Sequence, residues 1–341
     1  MEKPTASYFK IKVWVPASAG TTRRCLKIKN YFTFGCELSA IGFPFSFSCE
    51  LSAVSLLSMQ LIDGRKIKKR ILTELKRKIE QEGITPELAT ILVGQNPESE
   101  LYVNLKKEAA QKVGIKFHLF KFPSAVTEKE IINQVKKLNG DPSIDGIIVQ
   151  LPLPPLLNPD KVISAIKPKK DVDGFQWQNR KLLRLGKKPK VDPVLPLAIW
   201  RALKETNENF NKKIFRAVVS SDIFGQTLGE FFKMRLDKVD YQYLVKRVCL
   251  DKGLEKFLPE ADVIISVCGC PKMIRKSMTK EGSILIDAGV AKIENKVIGD
   301  VDQNSVNEKA KFLTPTPGGI GPITVATLLE NVWKVSHIRS A

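Results

Sequence analysis

Over most of the chain, short apolar runs alternate with segments in which apolar residues recur at helical spacing. Residues 88–93 and 144–149 are runs of the buried-strand type, and a helical pattern over 98–113 lies between them. Thr127 and Glu130 form a capping-box pair that opens a further helix. Such alternation is typical of parallel strands joined by crossover helices. It therefore predicts an α/β fold.

A second set of such units follows a basic, proline-containing stretch at 181–196. Residues 215–219, 261–267 and 283–287 are buried-strand runs, and residues 323–336 have the pattern of a closing helix. We therefore predict two α/β domains with a ligand cleft between them. The remaining predicted elements of this half are a helix over 226–235 and a strand over 239–244.

Residues 1–58 show neither pattern. They are rich in Ser, Phe and Cys and contain few acidic residues. A secretory signal fits poorly, because Pro44 and Glu50 interrupt the apolar stretch and the basic part begins far into the chain. We expect a disordered extension, or translated sequence upstream of a true start at Met59.

The chain carries 55 Lys and Arg against 36 Asp and Glu, a formal net charge of +19. These basic residues are dispersed, which fits either a solvated surface or an enzyme with polyanionic substrates. The sequence has no zinc finger, aromatic RNA-binding signature or concentrated basic stripe, so we expect no nucleic-acid partner. It also has no uninterrupted apolar run of roughly 18 residues, so we expect no membrane span.

The cysteines and histidines predict no metal centre. His118 and His337 are too few for a multi-histidine site, and the six Cys include no CxxC pair. Cys268 and Cys270 are too close in sequence for an ordinary structural disulfide. We therefore expect reduced cysteines and a cytoplasmic location.

Tyr102 and Lys106 lie four residues apart, so a helix would present both on one face. The ring could stack on a flat heterocycle while the amine, with a pKa lowered in a cleft, moves protons near neutral pH. Taken alone, the spacing also fits a surface lysine beside a half-buried tyrosine.

Two further polar residues, Gln150 and Asp173, are candidates for ligand binding. Gln150 ends a buried strand, at the edge where open α/β sheets bind ligands, and its amide could bind substrate or orient Lys106. A simple loop cap is the alternative. Asp173 precedes Gly174 and predicts a turn, or else a carboxylate that pairs with the N–H groups of a pteridine-like ring.

Residues 314–324, with the sequence TPTPGGIGPIT, form a Pro/Gly-rich loop before the last predicted helix. Such a loop brings backbone N–H groups close to a ligand. The helix N-terminus that follows favours a phosphate or a carboxylate.

Together these motifs resemble the bifunctional methylenetetrahydrofolate dehydrogenase/methenyltetrahydrofolate cyclohydrolase family, over about residues 60–331. The motifs that carry the resemblance are IDG at 62–64, YVNLK at 102–106, DGIIVQLPLP at 145–154, KDVDGF at 170–175 and PGGIGPITVAT at 317–327.

The resemblance implies NADP-dependent oxidation of 5,10-methylenetetrahydrofolate to the methenyl form, with NAD also possible, and hydrolysis to 10-formyltetrahydrofolate in the same cleft. It implies one-carbon metabolism, purine biosynthesis and a homodimer. Lys106 matches the catalytic lysine, Gln150 the residue that tunes it, Tyr102 the ring stacked on folate, and Asp173 the pterin anchor. The other substrate-binding residues that it implies are Leu151, Pro152, Pro317, Gly318 and Gly319.

The same resemblance implies a folate-binding catalytic domain at 59–190, completed by 314–341. A Rossmann-type NADP-binding domain would occupy 191–313. The expected fold is therefore two α/β domains around a cleft, the second of them of the Rossmann type.

The cofactor domain departs from the family's Gly-x-Ser-x-x-x-Gly turn. Val219 stands where the first glycine is usual, whereas Ser221 and Gly225 are kept. The Cβ of Val219 could obstruct a pyrophosphate or restrict φ. We expect cofactor contacts from Val219, Ser220, Ser221, Gly225 and Val290.

The end of the next strand is also unusual, since Val248 and Cys249 occupy the places of a polar pair. Lys246 and Arg247 could still meet a 2′-phosphate, or they are solvated charges. The leading hypothesis is a bifunctional enzyme. A cyclohydrolase-dominant variant with weakened dehydrogenase activity is the alternative, and a catalytically inactive folate-binding protein is a further one.

Overall fold

The computed structural model describes residues 59–246, 248–250, 252–294 and 296–339. The predicted N-terminal extension at 1–58 and the predicted phosphate contact Arg247 lie outside the described residues. All elements below belong to the unit Ser58–Ala341.

Helices and strands alternate through the described residues, as the patterns predicted. The helices are α1 (Gly64–Glu82), α2 (Pro97–Val113), α3 (Glu128–Gly140), α4 (Pro159–Ser164), α5 (Trp177–Arg184), α6 (Val194–Lys204), α7 (Asp222–Lys233), α8 (Leu254–Phe257), α9 (Gln303–Val306) and α10 (Ile320–Arg339). The strands are β1 (Gln60–Leu61), β2 (Glu87–Val93), β3 (Lys116–Phe122), β4 (Gly146–Val149), β5 (Ile214–Val219), β6 (Asp240–Val245), β7 (Val263–Val267), β8 (Ile284–Asp287), β9 (Ala291–Ile293), β10 (Lys296–Ile298) and β11 (Phe312–Leu313).

The first half of this unit contains a three-stranded parallel sheet in the order β3-β2-β4. The central strand β2 is apolar and almost wholly buried, because helices cover both faces of a parallel sheet. Its partner β3 contains Lys116, His118 and Lys121 among apolar residues and lies at the sheet edge.

The second half is organised around a six-stranded parallel sheet in the order β1-β11-β8-β7-β5-β6. Within it, β5, β6, β7, β8 and β11 follow the doubly wound order 2-1-3-4-5. The topological switch point lies between β5 and β7, and ligands bind such sheets beyond the carboxyl ends of the strands there. The two-α/β-domain fold with a Rossmann-type second sheet is therefore confirmed.

The two halves share elements at their junction. Strand β1, which precedes the first half, joins the larger sheet by pairing with β11. Helix α10 returns to the first half, where Leu328 and Val332 pack in one core with Leu75 and Ile79 of α1. Strand β1 and helix α10, at the two ends of this unit, therefore connect its two halves.

Capping residues explain where α2, the helix that carries the predicted lysine, begins and ends. Asn96 caps the start by accepting the N–H of Ser99 at 2.9 Å, and Pro97 occupies the first helical position, where no N–H is needed. Gly114 ends the helix with a φ of 86°, a conformation that favours glycine.

Helix α7 begins at Asp222 rather than at the predicted residue 226. Gly225, which the family resemblance places in the turn before this helix, lies inside the helix. A Cβ on Gly225 would lie 2.4 Å from the ring of Tyr243 on β6. Close packing of helix against strand therefore explains the glycine.

Candidate active site

Helix α2 carries Tyr102 and Lys106 one turn apart, and Lys106 points to the carboxyl end of β4. Its Nζ donates to Oε1 of Gln150 across 2.8 Å. The Nε2 of Gln150 donates to the carbonyl oxygen of Leu151 at 2.6 Å. Because the amide nitrogen is engaged there, the amide oxygen faces the lysine.

The charges of this site are strongly coupled. Burial lowers the pKa of Lys106 to about 8, and the negative charge of Asp173 acts in the opposite direction. Burial and the charge of Asp171 raise the pKa of Asp173 to about 6, against the effect of Lys106. Near neutral pH the site thus holds an amine that exchanges protons readily beside a mostly ionised carboxylate.

Tyr102 lies against the start of α10. A Cβ built on Gly321 would be 3.4 Å from its hydroxyl oxygen. Burial, together with the charge of Glu98, raises the pKa of Tyr102, so its phenol is neutral. The structure therefore brings the aromatic ring, the amine, the amide and the carboxylate of the prediction into one region.

The two predicted substrate loops border this region. The peptide bonds Leu151–Pro152 and Thr316–Pro317 are cis, and Leu151, Pro152 and Pro317 are exposed. Their side chains are thus accessible to a ligand at the rim of the site.

Gly318 and Gly319 bring the second loop close to α1. Gly318 has a φ of 111°, which side chains rarely adopt. A Cβ on Gly64 would lie 1.7 Å from the carbonyl oxygen of Gly319, so only glycine at residue 64 permits this approach.

The cofactor residues predicted from the sequence lie at the carboxyl edge of the larger sheet. Val219 is the last residue of β5 and is fully buried. Its carbonyl accepts the N–H of Lys246 at 2.7 Å, and the N–H of Ser220 donates to Val267 at 3.1 Å. The strand ladder therefore continues through the position of the missing glycine, and Val219 is not among the described residues with positive φ.

The first turn of α7 carries a fixed carboxylate. Oδ1 of Asp222 accepts the hydroxyl of Tyr243 at 2.7 Å, and Oδ2 accepts Nε2 of Gln226 at 2.7 Å. Ser221, the residue before the helix, makes no side-chain cap bond and is exposed beside Ser220.

Val290 lies at the same edge, since its carbonyl oxygen would be 3.1 Å from a Cβ on Gly269 in the segment after β7. Asp300, which follows β10, was not among the predicted site residues, but it contacts this segment. Its carboxylate accepts the N–H groups of Cys268 at 2.8 Å and Cys270 at 2.6 Å, and so shapes the turn. The signal available in the sequence was an aspartate directly after a glycine, Gly299-Asp300.

The expectation of reduced cysteines is wrong for one pair. Cys249 and Cys270 form a disulfide with a Cα–Cα distance of 5.1 Å. Spacing along the chain cannot reveal this contact, because it arises from β6 and β7 both pairing with β5. Cys268 is a free thiol, as expected, and burial raises its pKa to about 12.

No group of three or more His, Cys, Asp or Glu side chains in the described part is arranged to hold a metal ion. None of the described helices has the length and apolar character that a bilayer crossing requires.

A doubly wound sheet with a serine-lined edge, beside a lobe that carries a lysine–amide pair, defines a two-lobed α/β enzyme of the dinucleotide-binding class. Residues 62–173 match the family model described as tetrahydrofolate dehydrogenase/cyclohydrolase, catalytic domain. Residues 193–340 match the corresponding NAD(P)-binding domain. The chain belongs to the tetrahydrofolate dehydrogenase/cyclohydrolase family.

Individual relatives agree with this assignment. The chain is 38% identical over 282 residues to the bifunctional protein FolD of Sulfurihydrogenibium sp. (strain YO3AOP1), covering 81% of this chain and 97% of the relative. It is 38% identical over 278 residues to bifunctional protein FolD of Aquifex aeolicus (strain VF5), covering 80% and 94%.

Solved structures show the same similarity. The bifunctional enzyme FolD, methylenetetrahydrofolate dehydrogenase/cyclohydrolase, from Campylobacter jejuni superposes with a TM-score of 0.75 at 35% identity, covering 82% of this chain and 100% of that one. The Trypanosoma brucei FolD enzyme, complexed with NADP cofactor and inhibitor, gives a TM-score of 0.75 at 27% identity, covering 82% and 98%.

Proposed function

We propose that this chain oxidises 5,10-methylenetetrahydrofolate with NADP and hydrolyses the methenyl product to 10-formyltetrahydrofolate. The observation that carries the proposal is the 2.8 Å contact from Lys106 Nζ to Gln150 Oε1, with Asp173 acting on the same amine. The family's catalytic and NAD(P)-binding domains are both present in the chain. The match to both domains gives no reason to prefer the cyclohydrolase-dominant alternative.

The hydrolytic step needs a group that takes a proton from the attacking water. The methenyl carbon is already electrophilic, so water needs only orientation and a proton acceptor. With a pKa of about 8, Lys106 is partly neutral near physiological pH and can act as that acceptor. Gln150 fixes the position of Nζ through its amide oxygen, since its nitrogen is tied to Leu151.

Substrate binding is assigned to the residues around this pair. Tyr102 offers a neutral ring for stacking on the pterin, and Asp173 offers carboxylate oxygens to its N–H donors. Leu151, Pro152 and the loop at 317–319 would line the rim.

The cofactor edge fits a dinucleotide. Ser221 makes no side-chain cap bond with α7, so the N–H groups of the first helical turn can donate to a phosphate. Ser220, Ser221 and Val290 would hold the cofactor at the switch point. When bound, NADP supplies the nicotinamide that accepts the hydride, and the protein positions the folate next to it.

Several finer features belong to the same proposal. We place the catalytic domain at 59–190 with 314–341, and the cofactor domain at 191–313. We further propose a cytoplasmic homodimer that serves one-carbon metabolism and purine biosynthesis, and Lys246 as a contact for the 2′-phosphate. Size-exclusion chromatography with light scattering tests the dimer.

The test of function is a paired assay on the purified chain. Methylenetetrahydrofolate with NADP should yield NADPH and 10-formyltetrahydrofolate, and methenyltetrahydrofolate alone should yield the formyl product. Hydrolysis without NADP reduction would replace the proposal by the cyclohydrolase-dominant alternative. Absence of both reactions would refute it.

A further inference from the structure

Asp171 lies two residues before Asp173 and is fully buried. Its Oδ1 accepts the N–H of Gly174 at 3.0 Å. Its Oδ2 accepts the N–H of Gln176 and Nδ2 of Asn179, both at 2.8 Å. The carboxylate thus ties the turn that carries Asp173 to helix α5.

The main chain around Asp173 is fixed from the other side as well. Gly174 has a φ of 79°, and a Cβ there would lie 2.6 Å from Cα of Pro193. The N–H of Val194 donates to the carbonyl oxygen of Asp173 at 3.0 Å. Because both flanks of the turn are held, the direction of the Asp173 side chain depends on the turn.

Among the described residues, two charged groups act on Asp173. Asp171, on its own turn, repels the ionised form, and Lys106, on α2, stabilises it. Gln150, which contacts Lys106 from the end of β4, is neutral. Of the charged residues that the structure describes around Asp173, Asp171 is therefore the one whose negative charge opposes its ionisation. Burial raises the pKa of Asp171 itself, and its N–H donors oppose that rise by stabilising the carboxylate.

Other charged groups near the turn are engaged elsewhere. Nζ of Lys170 donates to the carbonyl oxygens of Leu138 at 2.9 Å and Asp141 at 2.6 Å. Asp192, in the segment packed against the turn, pairs with Arg235 at 2.7 Å. Lys170 is therefore not a partner of Asp171, whose hydrogen bonds come from neutral N–H donors.

We propose that Asp171 is a positioning residue for Asp173: its buried carboxylate holds the turn 171–176 and sets a second negative charge beside the carboxylate that receives the pterin. This inference rests on the proposed function. The consequence is that the affinity for folate depends on pH. Pterin N–H groups bind the ionised form of Asp173, so binding weakens as pH falls through the pKa of that carboxyl, about 6.

Removing the charge of Asp171 should make Asp173 easier to ionise. In Asp171→Asn, we expect the pKa of Asp173 to fall by about one pH unit. Carbon-13 NMR of the aspartate carboxyl groups in the ligand-free protein measures this directly, with Asp173→Asn to assign the signal. Asp141→Asn is the matched control, because it removes a carboxylate of the same region that does not act on Asp173.

The same variants are then titrated with 5-formyltetrahydrofolate, a stable reduced folate, across this pH range. In Asp171→Asn the pH below which affinity declines should move down with the NMR titration, and in Asp141→Asn it should not. If Asp171→Asn does not fold, Asn179→Ala takes its place. Loss of one donor to the Asp171 carboxylate favours its neutral form, so the shift has the same direction and a smaller size.

An unchanged Asp173 titration in a folded variant at Asp171 or Asn179 would overturn the inference. So would equal shifts in Asp171→Asn and Asp141→Asn. If the NMR shift occurs but the wild-type protein binds no reduced folate, the electrostatic coupling stands and the proposed function fails.

Discussion

The Nζ atom of Lys106 donates to Oε1 of Gln150 over 2.8 Å, and this contact joins helix α2 to the carboxyl end of strand β4. The two residues are 44 positions apart in sequence. A lysine with its pKa lowered to about 8 by burial is held here by a neutral acceptor rather than by a carboxylate. A neutral partner leaves the amine able to lose its proton near physiological pH.

Replacing that acceptor by a charge should shift the pH dependence of hydrolysis. In Gln150→Glu, the carboxylate favours the ammonium form of Lys106 and raises its pKa. We expect the pH of half-maximal methenyltetrahydrofolate hydrolysis to rise by about one unit. Asn104→Asp adds the same charge at an exposed position of α2 and should leave the profile in place; equal shifts in both variants would contradict a local effect.

The buried carboxylate of Asp287 should make stability depend on pH. Burial and the charge of Asp300 raise its pKa from 3.8 to about 7, although three backbone N–H groups donate to it. The folded state therefore binds this proton more tightly than the unfolded state. The contribution is fully present below pH 3.8 and is lost as pH rises through about 7.

Urea unfolding of the wild type and of Asp287→Asn across this range tests the effect. As pH rises, the free energy of unfolding of the wild type should fall relative to that of Asp287→Asn. A difference that stays constant would show that Asp287 has the same pKa in both states.

Val219 should contribute to stability rather than obstruct the cofactor. Its side chain is fully buried at the end of β5. Val219→Ala removes two buried methyl groups and should lower the free energy of unfolding by about 1–3 kcal/mol. Urea unfolding gives the stability and a fluorescence titration gives NADP affinity; a variant of unchanged stability that binds NADP more tightly would support obstruction instead.

The disulfide between Cys249 and Cys270 should stabilise the cofactor edge. It closes a loop with a sequence separation of 21, for which the chain-entropy model gives about 3 kcal/mol. Reduction with dithiothreitol should lower the unfolding temperature, and Cys249→Ser should match the reduced protein and be insensitive to the reductant. Unfolding temperatures that are equal with and without reductant, in protein shown by mass spectrometry to be disulfide-bonded, would refute this.

Strands with mostly apolar runs could be predicted from the sequence, because burial on both faces of a sheet selects apolar residues at successive positions. Residues 88–93 and 215–219 lie in β2 and β5 as predicted. Strand β3 was not predicted, since its Lys116, His118 and Lys121 interrupt the apolar pattern at a sheet edge. Its pairing with β2 depends on contacts distant in sequence.

Only part of the site could be predicted from residue spacing. Helical spacing predicts that Tyr102 and Lys106 share a face, but only the family resemblance links them to Gln150 and Asp173. Nothing in the spacing pointed to Asp171, because its importance comes from burial and from donors up to eight residues away. The disulfide was missed for the same reason, since sheet order brings its cysteines together.

Hydrolysis of methenyltetrahydrofolate by wild type, Lys106→Ala and Lys107→Ala is the most direct test of the active site. Lys107 is the exposed neighbour of Lys106 on α2 and serves as the matched control. Loss of a general base should lower turnover by about 10²–10⁴-fold in Lys106→Ala, with the fold and 5-formyltetrahydrofolate binding retained, whereas Lys107→Ala should behave as the wild type. Wild-type turnover in a folded Lys106→Ala protein would contradict the assignment of Lys106, and with it the proposed hydrolytic mechanism.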